Sequence, residues 1–368
     1  MTSSRRLSVN NQRSAGGHEL QPSDVYSSTN VAGLLPERTL HFSAADTPQV
    51  ARTNVETESK IFMGQAFCTR MQRGRSVSPD LTRASRAFAT IRSMSDLTVR
   101  RLLVDLETPF PRHWNGGDAF RTALFNALSF SFPAGEQIFI DAMRLGMANL
   151  DEATREGFAA EVNGFIGQEA THRRIHQLVN EQLRRQGLVN HWERRIVHRR
   201  QTQLEGVDPR GWLAVTAATE HFTAIFAEYL LTKTAPLQGA EPRLRDLWLW
   251  HCSEESEHRS TAFDLYRALQ GNEFWRRRVY YLVTWHFATD LLRQTLHNLW
   301  RDGSWWRLSS WSGAARALFG RDGLLRFVGR RWKDYLRADF HPSQGDGEPG
   351  VRWLAAHAEL APPVSCAA

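Results

Sequence analysis

From Asp118 onward, apolar residues recur every three or four positions, and nowhere do they alternate with period two over a useful length. The pattern predicts helices and no sheet. Leu97 to Leu106 reads as an ordered lead-in, closed by a turn at Phe110-Pro111-Arg112-His113-Trp114. Asp118 stands as N-cap to a helix with apolar face Phe120, Ala123, Leu124, Ala127 and Leu128. Ser131 to Gly135 is expected to kink or restart that helix, because Pro133 has no amide proton and clashes with the preceding turn. Ile138 to Leu150 then reads as helical, with Glu136, Phe139, Ile140, Met143 and Met147 inward. The next helix covers Asp151 to Gln186 and buries Phe158, Val162, Phe165, Ile166, Glu169, His172, Ile175 and Val179. Asn190 to Gln203 is a basic helix expected to be solvated, and Pro209-Arg210-Gly211 is a break. Trp212 to Lys233 and Leu244 to Leu269 follow as helices, then the aromatic-rich stretches Phe274 to Trp300 and Leu324 to Leu336.

The fold class is therefore all-α. Residues 1–92, rich in Ser, Thr, Arg, Asn and Gln, are expected to form a disordered tail. Residues 93–342 form the helical domain, and 343–368 a flexible C-terminal tail. The formal charge of +7 is concentrated early: residues 1–92 hold 12 Lys and Arg against 7 Asp and Glu, and the rest 34 against 32. That balance resembles a solvated surface more than a phosphate-binding stripe, so no nucleic-acid partner is expected. Cys68, Cys252 and Cys366 are scattered, which argues against a disulfide framework or zinc ribbon and fits a reducing cytoplasm. Basic residues after Met1 are not followed by an apolar run, so no secretory signal is expected; Glu19, Asp24 and Glu37 count against a transit peptide. His286, Asp290, Arg293 and His297 interrupt the most apolar stretch, so no transmembrane span is expected. The aromatic stripe from Trp275 to Trp300 still permits peripheral membrane contact.

Two acidic–imidazole pairs stand out. Glu169-Ala-Thr-His172 and Glu255-Ser-Glu-His258 each set a carboxylate and an imidazole on one helical face. Glu136 and Glu220 precede them by 33 and 35 residues. A Glu helix followed by a Glu-x-x-His helix, twice, is the ligand plan of a dimetal-carboxylate four-helix bundle. The 51 residues between Glu169 and Glu220 leave room for a ferritin-like long crossover between bundle helices two and three. Candidate metal ligands are Glu136, Glu169, His172, Glu220, Glu255 and His258. His176, His251 and Glu254 fall on the same stripes as additional ligands or orienting partners. Glu257 is expected to be exposed, His221 to be a packing histidine, and Trp250 and Phe263 to be core. Carboxylates with imidazoles suit two iron ions or a manganese–iron pair better than zinc.

Asn126-Ala-Leu-Ser-Phe-Ser-Phe-Pro-Ala-Gly-Glu136 resembles a motif of the predicted metal-dependent hydrolase family, a group of ferritin-like bacterial proteins. So do Phe165 to His172, Thr219 to Ala224, Trp250 to His258, Ala262 to Tyr266 and Asp339-Phe340-His341-Pro342. The resemblance spans about Asp96 to Pro342 and implies the same six ligands. The ligand set alone does not choose between oxidation and hydrolysis; the first reading is oxygen-dependent oxidation of a small or medium apolar substrate, by a monomer or homodimer. Metal-dependent hydrolysis of an ester, amide or phosphoester at the same site is the alternative, and a non-catalytic metal-binding bundle the third reading.

Overall fold

The computed structural model describes residues 97–364; the tail expected over residues 1–92 lies outside them. Among the described residues the chain is helical, with isolated bridges and no strand. Helix α1, Ala119–Ala148, starts at Asp118, whose carboxylate accepts the Arg121 amide proton. A connection of three residues, capped by Asp151, leads into α2, Glu152–Arg185. Next come the short α3, His191–Arg199, and a π-turn, Arg200–Leu204. α4, Pro209–Thr232, follows the expected Pro209 break, and α5 covers Pro242–His258. α1 packs along α2, α4 along α5, α1 against α4, and α5 meets α2. These four helices enclose the buried acidic and histidine residues.

The expected break at Pro133 does not occur. α1 runs through it without interruption. Proline deprives the Ser129 carbonyl of its helical donor, and Asn180 on α2 supplies a replacement from Nδ2 at 2.9 Å. A defect in one helix thus becomes a hook to its neighbour. The helix expected over Leu244 to Leu269 is divided: α5 ends at His258, and α6, Thr261–Ala268, restarts after Ser260. The hydroxyl pair Ser260-Thr261, of the residue types that favour helix starts, was the available sequence signal. The basic α3 is solvated on one side only. Its Trp192 is buried, and Arg195 and Arg199 both bind the buried Asp290 of α7, Glu273–Arg301.

Beyond α7 lie α8, Leu308–Phe319, and α9, Leu324–Asp334. His341 Nε2 meets Asp264 Oδ1 at 2.6 Å, tying the end of this region to α6. The segment expected to be a flexible tail from 343 is docked as far as it is described. α10, Glu348–Ala356, packs on α5 and α4 and buries Leu354. Residues 360–364 then pair with the lead-in: the amides of Arg101 and Leu103 donate to the carbonyls of Pro362 and Leu360 at 3.0 and 2.8 Å, and the Val364 amide donates to Val99 at 2.9 Å. A burial pattern only seven to nine residues long carried too little periodicity to reveal this helix.

Candidate metal centre

Glu136 comes from α1, Glu169, His172 and His176 from α2, Glu220 from α4, and His251, Glu254, Glu255 and His258 from α5. All nine are buried. Donor atoms of Glu169, His172, Glu255 and His258 lie within 4.8 Å of one another, as do those of Glu136, His172 and His251. Five carboxylates without water around them are costly unless compensated.

Each of three imidazoles is held from outside by one nitrogen and turns the other toward a carboxylate. Glu254 accepts from Arg100 at 3.2 Å, so it is an acceptor, and His172 Nε2–H donates to its other oxygen at 3.0 Å. His172 Nδ1 then faces Glu255 Oε1 at 3.5 Å. His258 Nδ1–H donates to Glu220 Oε2 at 3.2 Å, leaving Nε2 3.4 Å from Glu169 Oε1.

The third imidazole is set by the hook at Pro133. Because Asn180 Nδ2 donates to the Ser129 carbonyl, Asn180 Oδ1 must accept the Ser129 hydroxyl proton, at 2.8 Å. Ser129 Oγ is left to accept from His176 Nδ1–H at 2.9 Å. His176 Nε2 therefore accepts from His251 Nδ1–H at 2.8 Å. The lone pair of His251 Nε2 consequently faces Glu255 Oε1 at 2.9 Å, with Glu136 Oε1 at 3.9 Å. Two acceptors at that separation need a proton or a cation between them.

The inner atoms are the ones without partners. Both oxygens of Glu136 and of Glu169, one each of Glu220 and Glu255, His172 Nδ1 and His258 Nε2 are buried and make no hydrogen bond. Buried polar groups are nearly always satisfied, so a convergent set of orphans fits a cation-binding role. Burial pushes Glu136 and Glu169 well above the ordinary carboxylate value, reinforced by neighbouring carboxylates, and Glu220 up to about 7. Burial acts on Glu255 in the same direction, yet His258, His172 and His251 hold it well below. Burial would lower His172, but the carboxylates of Glu254 and Glu255 beside it push it up to about 10. Burial and the charge of His172 bring His251 down to about 4. Burial, with His251 and His172 beside it, keeps His176 well below its ordinary value.

All nine candidate ligands and orienting partners reach this cluster, with a different division of places. Glu220 spends one oxygen on His258 and stands outside both close donor groups, whereas His251 joins one of them. Glu254 sits behind His172. Glu257, expected to be exposed, is half-buried and paired twice with Arg100, at 2.8 and 2.9 Å. His221 does pack, against Tyr335 and Phe340, and donates its Nε2–H outside the cluster to the Arg331 carbonyl. Trp250 and Phe263 are core, Trp250 edge-on to His172 at 5.0 Å. Arg100, Ser129 and Asn180 were not foreseen. Only Pro133, which must leave a carbonyl free, pointed toward the last two.

The family model described as predicted metal-dependent hydrolase matches residues 98–346. Neither the curated proteins nor the solved structures contain a match to the chain.

Proposed function

The chain belongs to the predicted metal-dependent hydrolase family, and from that premise we propose that its buried cluster is a dimetal centre that hydrolyses an ester, amide or phosphoester bond. The observation that carries this reading is the convergence of unpartnered oxygens and nitrogens from α1, α2, α4 and α5. Glu136, Glu169, Glu255, His172, His251 and His258 are the inner donors, and Glu220 adds its free oxygen. Glu254, Glu220 and His176 orient the three imidazoles, the outer partnership that ligating histidines commonly require. The oxygen-rich set favours manganese or iron. Bound cations supply Lewis acidity and an acidified water for attack. The four helices read as a ferritin-like bundle whose crossover is the segment carrying α3. The apolar shell of Phe132, Phe165 and Trp250 around the imidazoles excludes water and suits a small or medium apolar substrate.

Hydrolysis takes the place of the oxygen-dependent oxidation expected from the ligand set. The donors suit either chemistry, and the family's description favours hydrolysis. Protein loaded with manganese or with redox-inert zinc should turn over a member of an ester, amide and phosphoester panel without consuming oxygen. Turnover confined to iron-loaded protein, with stoichiometric oxygen uptake, would overturn the reading.

A further inference from the structure

Helix α7 turns an unusually apolar face outward for a surface helix. Its inward side sets four polar residues beside the apolar Val279 and Tyr280: Arg276, Asp290, Gln294 and Asn298 are each at most 1% exposed. All four are tied into the fold. Arg276 donates to the carbonyls of Tyr335 and Arg337, Asp290 holds Arg195 and Arg199, Gln294 donates to Val189, and Asn298 donates to Ala123. Its outward side is apolar: Phe274, Tyr281, Trp285, Leu292 and Trp300 are 53–67% exposed. At 3.6 residues per turn these five share an arc of about 100°, opposite the four polar residues, and run along ~39 Å of helix. An exposed apolar stripe of that extent marks an interaction surface.

We propose that this outward face of α7 docks on an anionic lipid bilayer surface. Aromatic rings with a polar edge are the side chains that settle at the boundary between headgroups and hydrocarbon. Charge selects the same occupant. Arg278 is exposed on the stripe and Arg293 exposed on its flank, while both acidic residues of the helix, Glu273 and Asp290, fall on the other half. Residues 273–337 hold 13 Lys and Arg against 5 Asp and Glu, whereas the rest of 93–368 holds 21 against 27. A second copy meeting this face by two-fold symmetry would set like charges together, which disfavours that occupant. No helix among the described residues is long and apolar enough to cross a membrane, so the contact is superficial.

Co-sedimentation of the full chain with vesicles tests this directly. Binding is expected to vesicles of phosphatidylcholine with phosphatidylglycerol, to weaken with salt, and to be slight on phosphatidylcholine alone. The double variant Trp285→Ala/Leu292→Ala, both at exposed positions, should keep its helical content and bind about tenfold or more weakly. Arg278→Gln/Arg293→Gln should lose the preference for anionic vesicles. Absence of binding by the native chain, or unchanged binding by the Trp285/Leu292 variant, would overturn the proposal. So would self-association of the native chain abolished by that same variant, which would assign the face to a second copy.

Discussion

Pro133 shows how much one residue can organise. The carbonyl it frees fixes Asn180, Asn180 fixes the Ser129 hydroxyl, and that hydroxyl fixes the tautomer of His176 and through it the exposed lone pair of His251. Ser129→Ala or Asn180→Leu should therefore weaken metal binding about 10–100-fold although neither residue is a ligand. A competition titration against a chromophoric chelator would measure it, and unchanged affinity would refute the relay. Glu220 sets a pH dependence. Its pKa is raised from 4.5 to about 7, so its contribution to apo stability is complete below 4.5 and lost as pH rises through about 7. Glu136 and Glu169 shift in the same direction. The metal-free protein should accordingly melt at lower temperature at roughly pH 8 than at roughly pH 6, and metal uptake near neutrality should release protons. Calorimetry in buffers of different ionisation enthalpy would count them. At this scale the sequence was highly legible where spacing speaks, in the two Glu-x-x-His pairs. It was silent on Arg100, which acts across 154 residues of chain.

Among the elements, the extended lead-in does more than precede α1. It lies against α2 at glycines: a Cβ at Gly164 would come within 2.6 Å of Leu97 Cβ and 2.7 Å of its carbonyl oxygen. The same segment delivers Arg100 to Glu254 and Glu257, and thus supports His172 from behind. Gly164→Ala gains about 1 kcal/mol of helix propensity but forces a backbone contact that cannot yield without moving the segment, at a cost of about 1–3 kcal/mol. A net loss of stability in urea denaturation, accompanied by weaker metal binding, is expected; a simple gain in stability would show that the lead-in is dispensable. Helix positions were legible from apolar periodicity at α1, α2 and α4. The breaks were not, because Pro133 is compensated by a partner 47 residues away in sequence, while the α5–α6 restart has neither proline nor glycine to announce it.

In the whole molecule, the two described ends close over α5, the helix that carries more of the centre than any other. α10 lies on α5, and residues 360–364 pair with the lead-in. Truncation after Pro342 should cost at least ~2 kcal/mol from the burial of Leu354 alone and lower the melting temperature, although the deleted segment holds no ligand; an unchanged melting curve would mean that this docking contributes nothing. The all-helical class followed from periodicity, whereas the closure of the ends depends on contacts between segments too short to show a period. The central claim is that buried carboxylates and imidazoles from four helices hold a pair of cations. Elemental analysis of the full chain, reconstituted with manganese or iron and freed of excess, tests it most directly. The account predicts two metal ions per chain in the native protein, reduced to one or none in Glu169→Gln and His258→Ala at unchanged helical content. A native chain that retains no metal, or variants that retain as much as the native chain, would contradict it.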